Sequence, residues 1–455
     1  MYPALTSETQ NASKLYLYTA DETEVEIRKL PDAVERFVRQ QGFTGKAGQI
    51  VSVPDETGDL AMVIAGVGSG QNPLHVAAIS ARLVAGDYAL ARTPANWSFS
   101  WVAAGWVDGA YSFDRYLANK PKIPRLVMPD DESIDDTVRE AEAVHLLRDM
   151  VNTPPEDMGP DAIERIIREI GEEHGAKVSS IIGDDLLKEN YPMVHAVGRA
   201  ADIPPRIVEL SWGDEAHPEL AIVGKGVSFD SGGLNIKTGN YMRIMKKDMG
   251  GAAHAIALAR LVMAAELPVR LKLYIPTVEN AISGNSFRPG DIIASRKGLS
   301  VEIDNTDAEG RLILGDALAR ASEGDPDLIV DFATLTGAAR VALGPDLAPF
   351  YTDDQDLAAS IDVGAVQSGD PVWRMPLWTP YLSYLKSPVA DIVNSGSSMG
   401  GSITAGLFLS KFVSAKRWVH LDVWAWREAK YGRPAGAAAC GLRAMWAMLQ
   451  NRYTA

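Results

Sequence analysis

The chain has 455 residues, 46% hydrophobic and 23% charged, a composition that argues against disorder and suffices for two cored domains. Its formal net charge of -15 repels a nucleic-acid backbone on average, so a nucleic-acid partner is not expected. The single cysteine, Cys440, excludes an intrachain disulfide framework and a thiolate zinc cluster; within Ala-Ala-Ala-Cys-Gly it reads as a packing residue in a reducing compartment.

In chain order, the opening Met1-Tyr-Pro-Ala-Leu-Thr-Ser-Glu8 shows no basic run followed by an apolar core, so neither a signal nor a transit peptide is read from it. Apolar stretches such as Ala255 to Leu267 are broken by Arg260 and Glu266, short of the roughly 20 apolar residues a membrane span needs. The expectation is a soluble cytoplasmic protein with no membrane partner. Strand-like runs at Leu15 to Tyr18 and Ala61 to Ala65 alternate with helical patterns at Asp32 to Gln41 and Pro73 to Val84, which predicts an α/β module. Gly66-Val-Gly-Ser-Gly70 superficially suggests a dinucleotide loop, but Gln71 stands where the third glycine would be. A charged, proline-containing passage, Lys120 to Asp136, precedes a helical pattern ending near Met150 and the breaker Asn152-Thr-Pro-Pro. The boundary is placed near residue 130, giving an N-terminal α/β domain (1–130) and a larger second domain (131–455). There, buried-strand runs at Leu220 to Val223, Leu271 to Ile275, Leu328 to Phe332 and Trp418 to Val423 alternate with helices, implying a mostly parallel mixed sheet flanked by helices.

Ligand sites in such sheets form over strand ends, and two segments fit that position. In Val223-GKGVSFDSGGLNIK-Thr238, Lys225 and Asp230 are expected to flank a turn, Gly232-Gly233 permits close backbone approach, and Lys237 and then Asp248 follow. In Glu302-IDNTDAEGRL-Ile313, Asp307, Glu309 and Arg311 are spaced by two, so an extended chain would project them from one face. Clustered carboxylates repel and resist desolvation, so aiming Asp230, Asp248, Asp307 and Glu309 at one site implies cations among them, enough for two divalent ions. Singly, each signal has an ordinary reading: Asp-x-Glu-x-Arg as a solvated loop, Gly-Lys-Gly as a turn, Asp248 after Lys246-Lys247 as a surface charge. Their weight lies in joint occurrence.

Taken together, GKGVSFDSGGLNIK, MKKDMGGAA, NTDAEGRL and DFATLTGA resemble the leucyl (cytosol) aminopeptidase family in wording, order and spacing. The resemblance covers roughly residues 140 to 440, including Asn152-Thr-Pro-Pro-Glu-Asp-Met and the late Gly432-Arg-Pro. It implies a metal-dependent aminopeptidase that removes the first residue of short peptides with a hydroxide bridging two metals. One metal would be held by Lys225, Asp230, Asp248 and Glu309, the other by Asp230, Asp307 and Glu309. A lysine ligand must be deprotonated, and nitrogen among oxygens suits Zn²⁺, Mn²⁺ or Co²⁺ better than Ca²⁺; Zn²⁺ or Mn²⁺ is the expected occupant, with Co²⁺ or Mg²⁺ as alternatives. Lys237 would stabilise the oxyanion, and Arg311 would hold a bicarbonate that shuttles the proton. By the same resemblance Asn305, Thr334 and Gly337 would position substrate main chain, Met245 would line the first side-chain pocket, and the assembly would be a homohexamer acting in peptide turnover.

The chain departs from the family at His420-Leu-Asp-Val-Trp-Ala-Trp-Arg427, where many members carry a small glycine-containing sequence. Trp424 and Trp426, two apart on one predicted face, are either core or interface residues or reshape the specificity pocket. No His-Glu-x-x-His pair exists, so all seven histidines read as structural or surface. Gly224-Lys-Gly lacks the rest of a P-loop. Two further classes stay open beside the aminopeptidase: another two-metal hydrolase such as a phosphoesterase, and a non-enzymatic binding or structural protein on the same scaffold.

Overall fold

The computed structural model describes residues 2–8, 10–71, 73–129, 134–428 and 435–454. The chain divides into two compact units, Met1–His145 with Glu428–Gly436, and Leu146–Arg427 with Ala437–Ala455. Gly432-Arg-Pro and the passage around residue 130 fall outside the described residues.

The first unit holds a six-stranded sheet in the order Leu5–Thr6, Arg125–Val127, Asp87–Arg92, Ser13–Tyr18, Leu60–Gly66, Ile50–Pro54, parallel except for its last pair. Leu15, Leu17, Val63 and Ala65 project alternately from their strands into a core closed by Val102, Trp106 and Val107 of the helix Phe99–Ala110. The helix expected over Pro73 to Val84 is a 3₁₀ turn, Pro73–Val76, followed by one helical turn, Ala77–Ser80. It stops where Ser80 Oγ turns to donate to the Trp106 carbonyl. Within the charged, proline-containing passage Lys120 to Asp136, Arg125–Val127 forms a strand, because Leu126 pairs with Leu5 and Tyr88 on its two sides. In the Gly66 loop, a Cβ on Gly66 would lie 2.3 Å from the Lys46 carbonyl oxygen, so this glycine serves close loop packing.

The second unit is built on a nine-stranded sheet. Its centre is four parallel strands, Trp418–Asp422, Leu328–Ala333, Glu219–Gly224 and Arg270–Asn280. Glu219–Gly224 and Leu328–Ala333 are buried along their whole length, which is why they read as largely apolar runs; the charge inside the second, Asp331, is met by Trp418 Nε1 and His420 Nδ1. Antiparallel strands Arg206–Trp212 and Lys177–Ile182 extend one side, and Ala348–Tyr351 pairs antiparallel to Trp418–Asp422 on the other. Helices Gly250–Ala264 and Gly310–Ser322 are buried over most of their surface, the first of them nearly all apolar, the second carrying Arg311 and Asp316 into the interior. The architecture is therefore the expected α/β arrangement with a mostly parallel mixed sheet.

Among the described residues no helix is long and apolar enough to cross a membrane. Cys440 is buried as expected.

Candidate active site

The chemistry-bearing residues converge at the carboxyl ends of the central strands. Lys225 directly follows Glu219–Gly224, Asp230 ends the short strand Gly226–Asp230, Thr334 follows Leu328–Ala333, and Asn280 ends Arg270–Asn280. Lys225 and Asp230 are joined by strand rather than by the expected turn: Gly226 and Val227 pair with Thr277 and Val278, and the turn begins at Ser231. Gly232, at φ +87°, makes that turn and donates its N–H to Asp230 Oδ1 at 2.8 Å.

Nor are Asp307, Glu309 and Arg311 aligned on an extended segment. Glu309 is helical in φ and ψ (-73°, -36°) and caps the helix Gly310–Ser322, in whose first turn Arg311 lies. The loop before it is tied down by side chains from elsewhere. Asn394, fully buried, accepts from the Asp304 and Asn305 N–H groups and donates to the Asn305 and Ala308 carbonyls. Thr306 Oγ1 donates to the Gly232 carbonyl. A turn closed by these bonds competes successfully with extended chain.

Asp230, Asp307 and Glu309 each offer an oxygen within 4.8 Å of the others, a spacing suited to a shared cation. Lys225 Nζ lies 2.7 Å from Asp248 Oδ2 and 2.9 Å from Glu309 Oε1; Lys237 Nζ lies 2.7 Å from Asp230 Oδ2 and 2.5 Å from Asp307 Oδ1. With Lys247 Nζ 3.7 Å from Asp248 Oδ1, three ammonium groups face four carboxylates, leaving one negative charge in excess. Burial, reinforced by neighbouring carboxylates, pushes Asp230 up to about 6 and Glu309 to about 7, and raises Asp307. Burial also acts to raise Asp248, but Lys225 and its fellow lysines outweigh it and the net shift is downward. Lys225 shows the mirror case: burial depresses it, and the carboxylates of Asp248, Glu309 and Asp230 more than reverse that.

Several oxygens in this cluster lack aligned donors. Glu309 Oε2, Asp248 Oδ2 and Asp307 Oδ1 are buried without a hydrogen bond among the described residues; the latter two meet ammonium groups as ion pairs. Buried anionic oxygens without donors are costly, and divalent cations would satisfy them, so the residues fit a two-metal centre. Gly310 makes room for it, since a Cβ there would stand 2.4 Å from Lys225 Cε.

These groups open into a cleft of about 390 Å³ lined in part by Met245, Lys247, Thr334, Gly337, Arg340 and Trp424. Asn305 and Arg311 are not among its lining residues. Asn305 Oδ1 instead accepts from the Asp307 N–H, and Arg311 is buried, donating to the Asn394 carbonyl. Arg311 Nε has no hydrogen-bond partner among the described residues, and burial pulls its guanidinium down to about 10. Thr334 lines the cleft, but its hydroxyl is engaged by Asp248 at Oδ1 (2.8 Å) and O (2.9 Å).

The two tryptophans part company: Ala425 adopts φ +55°, breaking the alternation that would have put them on one face. Trp424 is flanked by Lys247 Nζ and Arg340 Cζ, each 4.1 Å from the ring centroid, whereas Trp426 meets Lys246 at 5.6 Å. The only fully buried histidines among the described residues are His254 and His420; His420 Nδ1 pairs with Asp331 Oδ1 at 2.6 Å.

The profile of the "Cytosol aminopeptidase family, catalytic domain" matches residues 145–446, and that of the "M17 aminopeptidase, N-terminal domain" matches residues 17–129. The chain belongs to the cytosol aminopeptidase family. Among solved structures of the family, a cytosol aminopeptidase from Coxiella burnetii is 42% identical with a TM-score of 0.93, covering 99% of both chains. The bottromycin maturation enzyme BotP, solved in complex with Mn, is 32% identical with a TM-score of 0.87, covering 97% of this chain and 99% of that one. A probable cytosol aminopeptidase of a Synechococcus species is 42% identical over 309 residues, 66% of this chain and 63% of that protein. One from Streptomyces griseus is 36% identical over 89% of this chain and 87% of its own. The matched region thus spans under two thirds of the first of these curated relatives.

Asn280, Thr306, Asn394, Lys247 and Arg340 are the site residues that sequence reasoning missed. Only Asn280 carried a signal, its place at the end of a buried strand; the others are recognisable solely by their contacts.

Proposed function

We propose that this chain is a two-metal aminopeptidase that removes the first residue from short peptides bearing a free N-terminus. The observation that carries this reading is the convergence of Asp230, Asp248, Asp307 and Glu309 with Lys225 and Lys237 at one set of strand ends, with buried carboxylate oxygens left without donors. Lys225, Asp230, Asp248 and Glu309 would hold one cation, and Asp230, Asp307 and Glu309 the other. When bound, Zn²⁺ or Mn²⁺ would neutralise the carboxylates, polarise the scissile carbonyl and acidify a water held there.

The chain's own groups supply the rest. Lys225 must release its proton to act as a ligand, which its carboxylate neighbours oppose until a bound cation would offset their charge. Lys237, whose net shift is upward because nearby carboxylates outweigh burial, stays an ammonium and can face the oxygen that turns anionic as the carbonyl is attacked. The substrate α-amine would lie toward Asp248, whose orientation Thr334 holds. Internal peptide bonds lack that amine. Arg311 Nε, a buried donor without a partner, suits a small oxyanion such as bicarbonate, which could take up the proton. The same reading extends to residues 1–130 as a separate N-terminal domain, to a hexameric assembly and to cytoplasmic peptide turnover.

The test is to strip the protein of metal, restore Mn²⁺ or Zn²⁺, and measure release of the first residue from short peptides and their N-acetylated counterparts, with Asp307→Asn as control. Metal-restored cleavage confined to free-amine peptides and lost in the variant is expected. Bound metal and intact folding with no cleavage by any metal would sink the reading and leave a binding scaffold or an unrelated hydrolase.

A further inference from the structure

We infer that Arg340, stacked on Trp424, selects the residue to be removed, and that the side chain it selects carries a carboxylate: N-terminal glutamate or aspartate. This rests on the aminopeptidase reading and names its substrate class.

Arg340 lies in the helix Gly337–Leu343, one turn after Gly337, and its side chain lines the cleft. The metal-site lysines are each shared between two carboxylates. Arg340 has neither an ion pair nor a side-chain hydrogen bond among the described residues; its side chain instead stacks on the Trp424 ring. That difference matters in a chain with 59 acidic residues against 44 basic ones, where carboxylate partners are plentiful. A guanidinium stacks through its flat face and donates through its edge, so the indole can hold Arg340 in place while leaving its in-plane N–H groups available. Such a fork matches a carboxylate two bonds at a time.

Location identifies which carboxylate. Trp424 also packs on Lys247, which directly precedes Asp248, the residue assigned to the substrate α-amine. The Arg340–Trp424–Lys247 wall therefore stands on the amine side of the cleft, where the first residue's side chain extends. Met245 and Leu335 line the same cleft and offer apolar surface to the methylene groups of a glutamate. The indole's π-density is already engaged by two protein cations, which disfavours stacking of an aromatic substrate side chain there.

The experiment measures kcat/KM of the Mn²⁺-loaded protein on tripeptides that differ only in their first residue: Glu, the isosteric Gln, Leu and Ala. The wild type is expected to favour Glu over Gln. Arg340→Leu and Arg340→Gln are expected to lower the Glu-to-Gln ratio on the order of ten- to a hundredfold, the worth of a hydrogen-bonded charge pair. Arg340→Lys, which keeps charge but not the fork, should fall between. Reading a ratio cancels any change in folded or metal-loaded fraction. A wild-type ratio at or below one, or a ratio unmoved by Arg340→Leu, overturns the inference. So does an Arg340→Leu effect that instead tracks a free against an amidated peptide C-terminus, because the guanidinium would then read the far end of the substrate. Silence toward all four peptides would overturn the aminopeptidase reading itself, and turnover of the Ala peptide distinguishes the two failures.

Discussion

Replacing Asn280 by alanine separates a residue that positions a metal ligand from one that merely fills space. Asn280 is fully buried, and its Nδ2 donates to Asp230 Oδ1 at 2.8 Å and to the Thr306 carbonyl at 3.1 Å. It therefore joins the Asp230 turn to the loop that carries Asp307. A hydrogen bond to a buried charge contributes about 1.5–3 kcal/mol and a neutral one about 0.5–1.5 kcal/mol. Asn280 Oδ1 is itself a buried acceptor without a partner, so its removal recovers part of that loss. A net destabilisation of about 2–3 kcal/mol is expected for the metal-free protein. With one of its two recorded Oδ1 donors gone, Asp230 can rotate away from the orientation that a cation requires, and metal affinity should fall roughly 10- to 100-fold. Urea unfolding of the metal-free protein and calorimetric titration with Mn²⁺ measure the two effects separately. A variant that loses stability yet binds Mn²⁺ as tightly as the wild type would refute the positioning argument and leave Asn280 a packing residue.

Two further outcomes can be stated. His254 sits in the core, where Nδ1 meets the Gly250 carbonyl at 2.6 Å and Nε2 accepts the Cys440 N–H at 3.0 Å, so the neutral ring is the species that fits. Burial depresses its pKa from 6.5 to about 4. The folded protein thus binds this proton less readily than the unfolded chain; the associated stability is complete above pH 6.5 and is lost as pH falls toward 4, by about 3 kcal/mol. His254→Gln should flatten that portion of the stability profile, as read by urea unfolding of the metal-free protein at pH 7 and pH 4.5. Gly310→Ala would drive a methyl group into Lys225, 2.4 Å from Cε. The expected result is a cost of about 1–3 kcal/mol and fewer than two metal ions per chain by elemental analysis, whereas an unchanged metal count would show that Lys225 is not needed as a ligand.

How far the sequence carried depends on the range of the interactions involved. Glu219–Gly224 and Leu328–Ala333 were legible because a strand buried on both faces is largely apolar, and Asp32–Gln40 because one face of a helix is. The candidate ligands were legible too, since Lys225, Asp230, Asp248, Asp307 and Glu309 lie in glycine-punctuated segments between such runs. Their geometry was not. Period-two spacing suggested an extended Asp307-x-Glu309-x-Arg311, but bonds from Asn394 fold that loop into a turn from more than 80 residues away. Asn280 reaches Asp230 across 50 residues, and the left-handed Ala425 parts Trp426 from Trp424, which meets Arg340 and Lys247. A buried asparagine and an arginine stacked on an indole have no local pattern, because hydrogen bonds and ring stacking act over a few ångströms regardless of chain separation. Residue type and spacing by themselves determined the α/β layering and which groups could do chemistry. The tertiary structure alone decided where those groups point, since their orientation is set by partners that only folding brings near.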